Sequence, residues 1–177
     1  MKFVLEFDED FEERELFIAI HSPAEPHRLA YWFNRMSQVR FVRALEDFYD
    51  KESEQYFPFF HWENDAEQWF LIANKRIEIS QGEGLFYEIE KRFFLLKEFP
   101  KVDYFLRISN YSEKENYLSL LKKIQWIDYF FEIEENLSEK ESTKTKNNII
   151  KLKTKLTFEY VKDEKNQNCS NTWASYR

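Results

Sequence analysis

Glycine is almost missing from this chain, with only Gly82 and Gly84 in 177 residues, both inside Gln81-Gly82-Glu83-Gly84. A backbone cradle for phosphate needs glycines at fixed offsets, followed by a lysine and a hydroxyl residue or by a third glycine. This segment has neither, and Glu83 would repel phosphate, so it reads as a mobile connector. Cysteine is rarer still: Cys169 stands alone, which excludes an internal disulfide and leaves no cysteine and histidine spacing for zinc. A reducing compartment follows. No apolar run approaches the roughly 20 residues that a membrane span requires. At the N-terminus only Phe3-Val4-Leu5 precedes a run of acids, so no signal peptide is expected. The expected location is the cytoplasm, with no membrane partner.

Positive charge is scarce in one part of the chain. The formal net charge is −7. Residues 1–134 hold 17 Lys and Arg against 27 Asp and Glu, net −10, whereas residues 135–177 hold 9 against 6, net +3. An acidic body repels phosphate backbones, which argues against nucleic acid as a partner of the folded part. The acid run Asp8 to Glu13 lacks the glycine and the ligand spacing of a calcium loop, so no metal is expected there. Nothing in the chain implies a cofactor.

Aromatic and β-branched residues mark the strands, and capping residues mark the helices. Lys2 to Phe7 and Arg14 to Ile20 read as strands. Ser22-Pro23-Ala24-Glu25 has the composition of a capping box, and Leu29, Trp32, Phe33 and Met36 follow at the spacing of a helix face laid on a core. Val39 to Asp50 is ambiguous between strand and helix and reads best as a short strand and a turn. Tyr56 to Trp62 and Gln68 to Ala73 flank the turn-like Glu63-Asn64-Asp65-Ala66, a hairpin whose Pro58 places its first strand at an edge. Lys91 to Leu96 and Val102 to Ile108 are further strands. Ser112 to Glu115 forms a second capping box, before a helix with the stripe Tyr117, Leu120, Leu121 and Ile124. Ile127 to Ile133 returns as a strand. One domain, 1–134, is therefore expected, followed by a basic tail, 135–177. The composition of 135–148 predicts disorder, and 149–161 alternates apolar residues with lysines in the period of a strand able to join a sheet edge.

The stretch Leu96-Lys97-Glu98-Phe99-Pro100-Lys101-Val102-Asp103-Tyr104 resembles the IPExxxVDY family, small proteins of Bacteroidota named for that motif. Glu98 and the triplet Val102-Asp103-Tyr104 fit, while Leu96 stands for the isoleucine and Lys97 for the proline. The similarity extends loosely over residues 1 to about 135. The resemblance implies a bacterial cytoplasmic protein and supplies no catalytic residue.

An internal echo carries the fold expectation. Val102-Asp103-Tyr104-Phe105-Leu106-Arg107-Ile108 recurs 25 positions later as Ile127 to Ile133, and Glu15 to Ile20 falls under Asp103 to Ile108 when shifted by 88. Two strand-helix units of this kind predict an α+β, ferredoxin-like βαββαβ sheet with two helices on one face and additional strands. Leu16, Ile18, Ile20, Tyr104, Leu106, Ile108, Tyr129, Phe131 and Ile133 would then face the helices. Phe17, Phe105 and Phe130, with Arg107, would lie on the opposite face. Three phenylalanines there need a cover, because each left exposed forgoes roughly 1.5 to 3 kcal/mol. The cover can be the chain itself, a second copy or another protein, or a small ligand or single-stranded RNA.

The expected function is a non-catalytic interaction or regulatory module that binds protein, as a homodimer or with a partner, through Phe17, Phe105, Arg107 and Phe130 or through a strand edge. On that view, Phe105 and Phe130 replaced by serine lose association without unfolding. The alternative is a small-ligand sensor or enzyme using a cleft near His21, His27 and the Gly82 to Gly84 loop. His21, His27 and His61 have no fixed spacing and no nucleophile beside them. Glu15, Asp103 and Asp128, though equivalent in the echo, fall too far apart on such a sheet to hold one cation.

Overall fold

The computed structural model of the chain describes residues 14–81, 88–133 and 147. The strand expected at 2–7, the acid run, the Gly82 to Gly84 connector and the expectations for 135–148, 149–161 and 162–177 lie outside the described residues, save position 147.

The architecture is mixed α+β: two helices, a mostly antiparallel six-stranded sheet and two hairpins. In chain order the elements are β1 (Glu15–His21), α1 (Pro26–Met36), β2 (Val42–Arg43), β3 (Phe48–Asp50), β4 (Gln55–Phe57), β5 (Phe59–Glu63), β6 (Gln68–Ala73), β7 (Lys75–Gln81), β8 (Glu88–Phe94), β9 (Tyr104–Ser109), α2 (Lys114–Lys123) and β10 (Tyr129–Glu132). The large sheet runs β10-β1-β9-β6-β5-β2, while β3-β4 and β7-β8 stand as separate hairpins. No helix among the described residues is long and apolar enough to cross a membrane.

Strand alternation builds two cores on the two faces of the sheet. Leu16, Ile18 and Ile20 of β1, with Tyr104, Leu106 and Ile108 of β9, pack against Leu29 and Phe33 of α1 and Tyr117 and Leu121 of α2. Phe17, Ala19, Phe70, Ile72 and Phe105 point the other way, against Phe48 and Phe57 of the β3-β4 hairpin and Leu96 and Val102 of the loop before β9. The central strand β1 is buried on both faces, which is why Leu16 to Ile20 reads as an unbroken apolar run rather than an alternating one.

Two helix starts differ from the sequence expectation. α1 begins at Pro26 with Glu25 at the N-cap, and no side chain caps it. Proline fits the first helical position because its fixed φ is already helical and its missing N–H has no partner there in any case. Ser22 instead accepts from the Ala24 N–H at 3.2 Å. At α2, Glu113 is the N-cap but its side chain caps no backbone N–H and accepts instead from Asn116 Nδ2 at 3.1 Å. Ser112 pairs with the Tyr117 hydroxyl at 3.1 Å.

Pro58 divides what reads as one strand. Residues on its N-terminal side pair with β3, and those on its C-terminal side join the large sheet between β6 and the two-residue β2. A proline cannot donate to a ladder, so it sits where the chain changes sheets; its own carbonyl accepts from the Ala73 N–H at 3.0 Å. The turn between β5 and β6 closes as its composition suggests, with Asn64 Oδ1 accepting from the N–H groups of Ala66 and Glu67 at 2.8 and 2.7 Å.

The last strand corrects the face assignment. Ile20 lies opposite Tyr104 on one side and opposite Phe130 on the other. Phe130 thus packs with the helix-side core, while Phe131 and Ile133 belong to the opposite one. The 25-residue echo matches residue types, but β10 enters the sheet one residue out of step with it. In a structure of period two, a one-residue slip exchanges the faces.

Candidate functional site

Three of the four side chains expected on the Phe-bearing face come together there. Phe17 and Phe105 stack with ring centroids 5.5 Å apart, and Arg107 lies opposite Phe17 in the ladder with its guanidinium 5.6 Å from the Phe70 ring. Phe130 is on the other face. Arg107 is buried and is held by the Glu15 carboxylate, so Glu15 serves as its counter-charge. The cover over these rings belongs to the chain itself: Phe99 meets Phe105 edge-on at 6.0 Å and continues to Phe131 at 6.4 Å.

Asn74 holds that cover in place. This buried residue donates from Nδ2 to the carbonyls of Phe99 and Val102, both at 2.9 Å, and its Oδ1 accepts from the Leu96 N–H at 2.8 Å. Its own backbone N–H donates to Asp103 O at 2.8 Å, and its carbonyl accepts from Leu95 at 2.9 Å. Every polar group of one residue is thereby used to fold the 95–103 loop across the sheet.

At the same end of the sheet lies a cluster of titratable groups. The Asp103 carboxylate accepts from His21 Nδ1 at 2.7 Å through Oδ2, from Lys75 Nζ at 2.7 Å through Oδ1, and from the Ser22 N–H at 3.0 Å. A carboxylate only accepts, so Nδ1 of His21 carries the proton and Nε2 is the nitrogen left to meet another group. His21 is opposite Tyr129 in the ladder, and the backbone of Asp128 donates to His21 O at 3.0 Å. His27 is elsewhere, exposed and 3.5 Å from Glu25. His61 lies on β5 beside the Phe59 ring. No group of three His, Cys, Asp or Glu among the described residues could hold a metal ion.

Beneath this cluster, the buried Tyr104 hydroxyl donates to the Ala24 carbonyl. Burial first, then the charges of Asp103 and Glu25, hold its phenol well above the usual 10. Tyr117 is raised in the same direction, by burial and by its bond to Glu67. A raised acid favours the folded state fully below its unfolded value, and the contribution fades as pH climbs through the folded one. Stability should therefore fall from about pH 10 upward, by at most about 1.4 kcal/mol per unit for each phenol. Tyr104→Phe should flatten that slope and cost about 1 kcal/mol at pH 7. Urea midpoints across a pH series measure both.

The β7-β8 ribbon stands apart from the large sheet. Ile77 and Ile79 lie on one side of it, 54% and 66% exposed, opposite Arg92 and Glu90. Ile89 is also exposed, on the other side. The ribbon is tied down at its base, where Phe93 packs on the second core and Arg76 donates to Tyr56 O at 2.8 Å.

Sequence reasoning did not single out Lys75, Asn74 or the ribbon. The alternation Arg76-Ile77-Glu78-Ile79-Ser80 was a usable strand signal. The pairing of His21 with Asp103 follows from antiparallel order, which sets the last residue of one strand beside the first of its neighbour. Nothing local marks Asn74, whose partners are more than 20 residues away.

No family model, curated protein or solved structure matches this chain.

Proposed function

We propose that the chain is a non-catalytic interaction module that binds protein, either a partner or a second copy, through an exposed strand edge, and that the β7-β8 ribbon provides it. The observation that carries this reading is the side-by-side exposure of Ile77 and Ile79 on a two-stranded element. Burying such a side chain is worth roughly 1.5 to 3 kcal/mol, and the open ladder of a ribbon accepts an extended segment by backbone hydrogen bonding. The Phe-bearing face is filled by the 95–103 loop, so the reading rests on the edge. A ferredoxin-like core belongs to the same proposal, supported by the strand order β10-β1-β9-β6 and by helices that follow β1 and β9. Membership of the IPExxxVDY family and a bacterial cytoplasmic location are also proposed, on the residues from Leu96 to Tyr104.

Ile77→Ser combined with Ile79→Ser is the test. The double variant should lose self-association in light scattering, or lose capture of a partner, while its urea midpoint stays within about 0.5 kcal/mol of the parent. Association unchanged by the substitutions would place the contact elsewhere and sink the proposal.

A second reading, a small-ligand sensor or enzyme near His21, is favoured by one observation, the 2.7 Å bond from His21 to Asp103. His27 is turned to Glu25, and Gly82 and Gly84 lie outside the described residues.

A further inference from the structure

Strand β8 is the open side of the ribbon. Among the described residues it pairs with β7 alone. Ile89, Glu90, Lys91 and Arg92 are exposed in succession, so both faces of the strand meet solvent. β7, by contrast, has β4 beside its base, where Arg76 reaches Tyr56 O. The register gives the direction of the outer backbone groups. Leu95 N–H donates to Asn74 O, one step beyond the Lys75 and Phe94 pair, so the odd-numbered residues of β8 bond to β7. The N–H and C=O of Glu90 and Arg92 therefore turn outward, an open row that a further strand can complete. On a chain of net charge −7, β8 is neutral, with Glu88 and Glu90 balanced by Lys91 and Arg92. Two copies can approach there without the repulsion that their acidic bodies impose.

We propose, resting on the strand-edge reading above, that the partner of this edge is a second copy of the chain, with β8 pairing antiparallel to β8 about a two-fold axis at Lys91. This register sets Glu90 opposite Arg92 of the second copy, twice, in hydrogen-bonded pairs. The two side chains already meet within one copy, at 2.5 Å, so their length and side of the ribbon suit the exchange. Ile89, 41% exposed, falls opposite Phe93 of the second copy, also twice, in the closer non-hydrogen-bonded pairs. Phe93 is anchored on the second core and offers a fixed surface to that isoleucine. Lys91 faces its own copy across the axis, a like-charge contact offset by Glu78, which lies opposite Lys91 on β7. A shift of two residues either way would set Glu90 against Glu90 or Arg92 against Arg92, so charge selects the register. The product is a four-stranded sheet β7-β8-β8-β7 with Ile77 and Ile79 of both copies on one face. Its interface is isologous, as a closed dimer requires.

Sedimentation equilibrium on the full chain, alone and in mixtures, provides the test. The parent should dimerise. Glu90→Arg sets arginine against arginine and Arg92→Glu sets glutamate against glutamate, so each variant alone should dimerise about tenfold more weakly or worse. Mixed one to one, the two variants should recover the parent's association as a hetero-pair, because each residue then faces its opposite charge. Both positions are exposed, and unchanged urea midpoints confirm that each variant is folded. A parent that stays monomeric at about 1 mM, single variants that dimerise as the parent does, or folded variants that fail to pair when mixed would each overturn the proposal. The broader edge reading falls on a different result, association left unchanged by Ile77→Ser combined with Ile79→Ser.

Discussion

Phe105→Ala should cost about 3–5 kcal/mol in urea unfolding, a large share of the stability of a domain this size. Phe105 is fully buried, stacked on Phe17 and met edge-on by Phe99, so truncation leaves a cavity among three rings. The same substitution at Phe130, which is only partly buried against the helix-side core, should cost clearly less. The contrast separates two accounts of this face. Were Phe105 a docking residue, its removal would abolish association and leave the unfolding midpoint unchanged. With the 95–103 loop seated over it, the expected result is a large loss of stability. Equal, small effects at Phe105 and Phe130 would contradict the packing described.

Asn74→Ala should be of similar size, about 3 kcal/mol or more, although it removes little apolar surface. The side chain satisfies one N–H and two carbonyls of the covering loop, and each buried group left without a partner costs about 1–3 kcal/mol. Hydrogen exchange distinguishes this mechanism from a general loosening. The Leu96 amide, bonded to Asn74 Oδ1, should lose protection well before the amides of β1 and β9. Loss of protection spread evenly over the sheet would show that Asn74 supports the whole fold and has no special hold on the loop. Asn74→Asp is the informative companion: it keeps the acceptor for Leu96 but sets a carboxylate against two carbonyls, so it should rescue nothing.

These two residues mark where reading the sequence succeeds and where it stops. The strands over 15–21, 68–73 and 104–109 are legible from apolar, β-branched and aromatic residues, and both helices from their 3.6-residue stripes. Phe17 and Phe105 share a face as alternation requires. Phe130 departs because similarity between two segments carries residue type without register, and register depends on how the preceding loop delivers the chain to its neighbour. Pro58 reads as the mark of an edge strand, whereas in the assembled sheet the strand after it is paired on both sides and the proline is the point where one strand becomes two. His21 and Asp103 are each unremarkable alone and meet only because β1 and β9 run in opposite directions.

The sequence by itself determined the class, an α+β domain with a strongly apolar first strand, since burial preference and periodicity act over a few neighbouring residues. Tertiary structure alone decided what covers the phenylalanines and which titratable groups become partners. Those outcomes depend on contacts such as Asn74 to Val102 and Lys75 to Asp103, each spanning 28 positions. Over such separations local propensity has no influence, and only the packing of the whole chain selects the partner.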